Sequence, residues 1–223
     1  MRLYFNLSLN LRPVPFDYQH ALTGAFHKWL GRDNPLHDRM SLYSLSWLDG
    51  SRAVRGALEF PRGASWFISY HDDIDLTERL VNAALGDPEV CYGMSVTRVE
   101  QQATPRFGNR HAFKVGSPVL ARSQQAEGRV KHLIFSDPEV DHVLTATLRH
   151  KMDTAELAAI HKEVSVRFDR TYRGAKTKLV RIKDIESRAS VCPVIIEGTP
   201  EAVAFAWNVG VGHSTGSGFG CLL

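Results

Sequence analysis

The sequence predicts an α+β chain of two tandem ferredoxin-like (βαββαβ) domains that ends in a glycine-rich loop. Three observations predict it. Hydrophobic spacing switches between period two and period 3.6 in the order strand, helix, strand, strand, helix, strand. The same order recurs, with no residue-level repeat, after a turn-rich stretch at 104–109 that holds Pro105 and Gly108. Glycines then crowd the end of the chain, at Gly210, Gly212, Gly216, Gly218 and Gly220. The expected division is 1–104 for the first domain and 110–223 for the second.

Residues 2–9 alternate and read as a strand, which Pro13 and Pro15 end. Asp17 is the expected cap of a helix in which Tyr18, Ala21, Leu22, Ala25, Phe26 and Trp29 share one face, and Gly31 stops it. Strands are expected at 42–48 and 65–71. A helix follows at 75–85, with Leu76, Leu80, Val81 and Ala84 inward, and then a strand at 90–101. The second domain reads as a strand at 112–122 and a helix at 137–150. Strands at 164–168, 178–183 and 187–197 come next. Thr199 caps a short helix with Pro200 in its first turn, and a last strand at 219–223 closes the chain.

Of the 223 residues, 43% are hydrophobic, enough for a real core and against disorder. No apolar run approaches the ~20 residues of a membrane-spanning helix. The alternating N-terminus lacks the continuous apolar stretch of a signal peptide and reads as a strand. Cys91, Cys192 and Cys221 lie far apart with no CxxC, which signals neither a zinc cluster nor a disulfide framework. A cytoplasmic protein without metal or cofactor fits this composition. The net charge is +3, but it is concentrated. Residues 167–188 hold eight Lys/Arg against Asp169, Asp184 and Glu186, a local +5. Such a segment attracts a polyanion, although a solvated strand face has the same composition.

The glycine-rich stretch excludes two familiar phosphate loops. It lacks the Gly-Lys-Ser/Thr of a P-loop. A dinucleotide fingerprint lies between a strand and a long helix, whereas here a short helix comes first and few residues follow. Glycines permit positive φ and close backbone approach, so the stretch reads as a ligand-binding loop rather than a plain turn. His20 and His27 fall seven apart, opposite the apolar stripe of the first helix, with Gly24 between them. Surface histidines and ligand-facing ones both fit that placement. Their ~10 Å axial separation argues against a shared zinc ion.

A helix, Gly-x-Gly, a short polar stretch, Gly-Phe-Gly and a closing strand resemble the signature of the CRISPR-associated repeat-processing endoribonucleases of the repeat-associated mysterious protein (RAMP) superfamily. Residues 18–27 look like the first helix of that family. Leu36-His37-Asp38 and residues 42–46 look like its catalytic-loop histidine and second strand, and Ser117-Pro118-Val119 like the start of its second domain. The resemblance implies metal-independent cleavage of CRISPR repeat RNA by a ribose 2′-OH, leaving a 2′,3′-cyclic phosphate and a 5′-OH. It implies His37 as general base and His27 as its helper. The family's lysine after the loop histidine falls on Ser41, so that match fails and Arg39 is the nearest cation.

RNA contacts are expected from Gly210, Gly212, His213, Gly216, Gly218, Gly220, Arg39, Arg173, Lys176 and Lys178. Histidine suits acid–base work because its unperturbed pKa, ~6.5, lies near working pH. The expected partner is repeat RNA, with other CRISPR subunits or a second copy of the chain compatible with it. A non-catalytic guide-RNA-binding subunit is the rival within the superfamily. A small-molecule regulator of the same fold would have no need for the basic 167–188 segment.

Overall fold

The computed structural model describes residues 1–31, 36, 39–71 and 74–223, apart from the side chains of Ile74 and Glu127. Alternation in β1 (Arg2–Leu7) buries Leu3, Phe5 and Leu7 on one face. The amphipathic α1 (Gln19–Leu30) lays Leu22, Phe26, Trp29 and Leu30 into the same core. Next come β2 (Tyr43–Leu45), a hairpin of β3 (Arg52–Val54) and β4 (Ala57–Glu59), then β5 (Ala64–Tyr70) and α2 (Ile74–Gly86). The half ends with β6 (Glu89–Cys91) and β7 (Met94–Gln102). The sheet runs β2-β5-β1-β7-β6, with every pair antiparallel. Without edge strand β6, this places the second, third, first and fourth strands of a βαββαβ unit side by side.

The second half repeats that plan. It contains β8 (Arg110–Phe113), β9 (Ala121–Gln124), β10 (Val130–Leu133), α3 (Val140–Thr154) and β11 (Ser165–Phe168). Then come β12 (Lys176–Ile182), β13 (Ile185–Val191), β14 (Val194–Glu197) and α4 (Pro200–Val209). The central sheet is β11-β14-β8, again the second, third and first strands. A single antiparallel bridge from Leu222 to Val115 occupies the place of the fourth. The β9–β10 and β12–β13 hairpins are additions to this frame. Two ferredoxin-like units are therefore present, each with its own apolar core.

Buried Arg2 joins the halves. Its guanidinium lies 3.9 Å from the Phe67 ring centroid and 3.8 Å from that of Trp207, and it donates to Leu222 O at 2.6 Å. A desolvated cation between two rings is worth about 2 kcal/mol or more. Among the described residues, no helix is long and apolar enough to cross a membrane. All three cysteines are free and buried.

Several expected elements differ, each for a local reason. The strand expected at 90–101 is split by Tyr92 (φ 51°) and Gly93 (φ 78°), two left-handed residues that make a tight hairpin turn. Pro193 separates β13 from β14, and Ser117-Pro118 lies between β8 and β9, because proline cannot donate to a ladder. The strand expected at 219–223 is only the Leu222 bridge. Asp17 does not cap α1. The cap position is Tyr18, with no side-chain cap bond. Thr199 does cap α4, its side chain accepting from Ala202 N. The β3–β4 and β9–β10 hairpins had no clear period-two signal. Arg55 (φ 50°) and Gly56 (φ 80°) make the turn of the first.

Candidate nucleic-acid interface

His37 and Asp38 lie outside the described residues, so the assignment of His37 stands on the sequence. The segments on either side are placed. Gly31 caps α1 with its N–H on Lys28 O at 3.1 Å, one turn beyond His27. His27 is half-buried, with its ring 5.5 Å from that of Phe26, and His20 is exposed. The Cβ position of Gly24 meets nothing within 4 Å, so no packing inside the chain requires a glycine there. Lys28 is committed elsewhere. It pairs with Asp87 at 2.9 Å and donates to Glu89 O at 2.6 Å. Leu36 packs against the first core, and Arg39 is exposed.

Past residues 37–38, Ser41 and Tyr43 abut the glycine-rich stretch. A Cβ on Gly216 would lie 2.5 Å from Ser41 Oγ and 2.8 Å from Tyr43 Oη. Gly220 (φ 61°) leaves no room at all, because a Cβ would overlap Val211 O. Gly210, Gly212, Gly216, Gly218 and Gly220 are all buried. The close approach that glycine permits is thus made mostly to the chain's own backbone: Val211 N donates to Gly220 O at 2.9 Å, and Gly220 N to Pro118 O at 2.8 Å. Gly218 differs, since its added Cβ would meet nothing nearer than 3.6 Å.

Beneath this loop lies Lys151, which the sequence reading passed over. It is only 3% exposed. Its Nζ donates to Val209 O at 2.9 Å, Gly210 O at 3.3 Å and Thr215 Oγ1 at 2.9 Å. Two of these acceptors close the C-terminus of α4, where a cation suits the helix dipole. Thr215 in turn donates to Tyr43 O at 2.8 Å, which links the loop to β2. Burial pulls the Lys151 pKa down to about 7. The available signal was position, because Lys151 falls on the Leu144–Leu148–Met152 stripe of α3.

The basic 167–188 segment divides in two. Arg167 pairs with Glu197 at 3.4 Å, Arg170 with Asp141 at 2.6 Å and Arg181 with Asp184 at 3.9 Å. Arg173 and Lys176 are exposed or nearly so and form no ion pair among the described residues. Lys178 lies over the Trp47 ring at 4.3 Å from its centroid, and burial, then the charge of Lys176, lowers its pKa. Trp47, also missed from the sequence, donates from Nε1 to Gly218 O at 2.8 Å. It borders three adjoining clefts. One is lined by Phe16, Lys178 and Arg181, the second by Pro118 and Lys176, and the third by Tyr4 and Phe67. His213 is half-buried beside the loop. Burial, then the charge of Arg122, lowers its pKa.

The family model for the CRISPR associated protein Cas6, C-terminal, matches residues 100–223, more than half of the chain and all of the glycine-rich end. The chain belongs to the Cas6 family. That family comprises CRISPR repeat-processing endoribonucleases in general. Solved structures share the fold over the whole length. A Cas6-related protein from Pyrococcus furiosus superposes with TM-score 0.86 at 20% identity, covering 100% of this chain and 97% of that one. A RAMP protein that binds different RNA substrates gives 0.86 at 18% identity, over 100% and 98%. A Cas6 product complex gives 0.64 at 17% identity, over 100% of both chains. No curated protein sequence matches the chain.

Proposed function

We propose that this Cas6-family chain cuts CRISPR repeat RNA by metal-independent transesterification, with residues 1–104 supplying the histidines and residues 110–223 most of the RNA-holding surface. His37 takes the proton of the ribose 2′-OH. The oxygen attacks the adjacent phosphorus, and the bond to the 5′-oxygen breaks. His27 protonates that leaving oxygen or holds the phosphate. The products are a 2′,3′-cyclic phosphate and a 5′-OH. No metal or outside nucleophile enters this balance.

The observation that carries the reading is where the described residues on either side of His37 are held. On one side, α1 ends just after half-buried His27. On the other, Ser41 and Tyr43 lead into β2 against the glycine-rich stretch. The open space over Gly24 supports approach of an RNA backbone along the same helix. Arg173 and Lys176, which form no ion pair among the described residues, supply the cationic track with Lys178 stacked on Trp47. The direct test is to incubate the protein with its own repeat RNA in EDTA and map the product ends. Cleavage that needs added magnesium or manganese contradicts the mechanism. Binding without cleavage favours a guide-RNA-binding subunit instead. A 2′-deoxy residue just upstream of the scissile phosphate should block cutting and leave binding nearly intact.

A further inference from the structure

The β9–β10 hairpin meets the glycine-rich stretch at a cluster of cations that the proposed chemistry does not use. Arg122 lies directly opposite His132 across the β9–β10 ladder. His132 Nδ1 accepts from Arg188 N at 3.2 Å, which ties the hairpin to β13. On its other side, Arg122 N donates to His213 Nδ1 at 3.3 Å, and the Arg122 guanidinium donates to Ser214 Oγ. Ser214 is held left-handed, at φ 56°. Four cationic or titratable side chains therefore converge here: Arg122, His132, Arg188 and His213. Lys151 also adds its charge toward His213 from below.

Among the described residues, no acid pairs with Arg122 or Arg188, whereas Arg167, Arg170 and Arg181 each have a carboxylate. Arg122 is half-buried, and its Nε is shut away from solvent with no hydrogen-bond partner. Burial accordingly holds its pKa below the usual guanidinium value. Burial, followed by the neighbouring arginines, keeps His132 below the usual imidazole value, and His213 is lowered in the same way. A desolvated guanidinium without a counter-charge is costly to keep. Its planar fork matches phosphate oxygens.

We propose that Arg122, His213 and Ser214, flanked by His132 and Arg188, bind one backbone phosphate of the RNA on the hairpin side of the glycine-rich stretch. This rests on the RNA-binding reading above and adds a named site to it. The phosphate takes hydrogen bonds from the Arg122 guanidinium and the Ser214 hydroxyl. Its charge raises the pKa of both imidazoles, each of which can donate from Nε2 while its Nδ1 accepts a backbone N–H.

The probe is a repeat RNA made uncleavable by a 2′-deoxy residue at the cutting position, with affinity measured across a salt series. Arg122→Gln should weaken binding about tenfold, as expected for losing one charged hydrogen bond. It should also flatten the salt dependence by roughly one phosphate. Single methylphosphonate linkages, placed in turn along the RNA, locate the partner. At one position the neutral linkage should weaken wild type but not weaken Arg122→Gln further. Nuclear magnetic resonance of the imidazoles should show the His213 pKa rising when RNA binds. Exposed Arg188→Gln should weaken binding about threefold, and it reads the site should Arg122→Gln not fold. Wild-type protein that fails to bind RNA overturns both this site and the RNA reading. Wild type that binds, alongside folded variants with unchanged affinity and salt slope, overturns this site alone.

Discussion

The glycine-rich stretch and the β12–β13 ribbon belong to the same half of the chain, and both carry the marks of a polyanion site in sequence. Their surroundings are opposite. The glycines are packed inward, their close contacts being with Pro118, Leu120, Val211 and the Ser41–Tyr43 segment of the other half. At the start of the ribbon, Arg173 and Lys176 stand in solvent and form no ion pair among the described residues. Glycine richness reports that some backbone comes close, but not whose backbone it is. A cation without a partner is the more specific sign of a missing anion. The stretch is thus a joint between the two ferredoxin-like units, and the proposed RNA contacts are those of the cations that border it.

That contrast can be broken by substitution, most sharply at Gly220. Gly220→Val adds bulk where a single Cβ already overlaps Val211 O, in a left-handed residue. It should cost about 3 kcal/mol or more. Thermal unfolding should show Tm lowered by roughly 6–12 °C. A Gly220→Val variant with wild-type Tm and weakened RNA affinity would make the glycine a ligand contact instead.

Lys151 sharpens the same point. Its pKa is about 7 in the fold and near 10.5 when unfolded. Between those values the unfolded chain holds the extra proton, so stability rises with pH across that window. Urea midpoints at pH 7 and 8.5 should show the rise in wild type, below the range in which the three buried thiols, their pKa values raised by desolvation, oppose it. Lys151→Met should lose it, together with about 2 kcal/mol for the stranded acceptors.

The ribbon should behave in the reverse way. Neutralising Arg173 and Lys176 together to glutamine should leave Tm nearly unchanged. RNA affinity should fall several-fold, and the salt slope by roughly one per charge removed. A salt slope equal to wild type would remove the ribbon from the interface. The smallest effect on stability among the glycines is expected at Gly218, where only the backbone conformation (φ 85°) resists a side chain. Gly218→Ala should cost about 1–2 kcal/mol in chemical denaturation.

Much of the frame was legible because burial on one face imposes a period on each element. α1, its stop at Gly31 and the Thr199 cap of α4 all follow from such local rules. Missed boundaries lay at Tyr92-Gly93 and Pro193, where a turn or a missing donor interrupts an otherwise continuous apolar run. The site was less legible, because its chemistry depends on partners distant in sequence. Whether Arg170 is neutralised depends on Asp141, and whether Lys178 is anchored depends on Trp47. Lys151 is a single charge on an apolar stripe, whose acceptors lie 58 to 64 residues away. Arg122 gives no sequence signal, since the proposal for it rests on its having no ion pair among the described residues.

The central claim is that His37 begins the cut without a metal. The measurement is single-turnover cleavage of the cognate repeat RNA in EDTA, wild type against His37→Ala, with RNA affinity and product ends determined in the same samples. The expected result is efficient wild-type cleavage that leaves a 2′,3′-cyclic phosphate. The variant should bind within a few-fold of wild type and cut ~10²–10⁴-fold more slowly. A folded His37→Ala protein cutting at the wild-type rate, or wild-type activity lost to chelation and restored by magnesium, would contradict it.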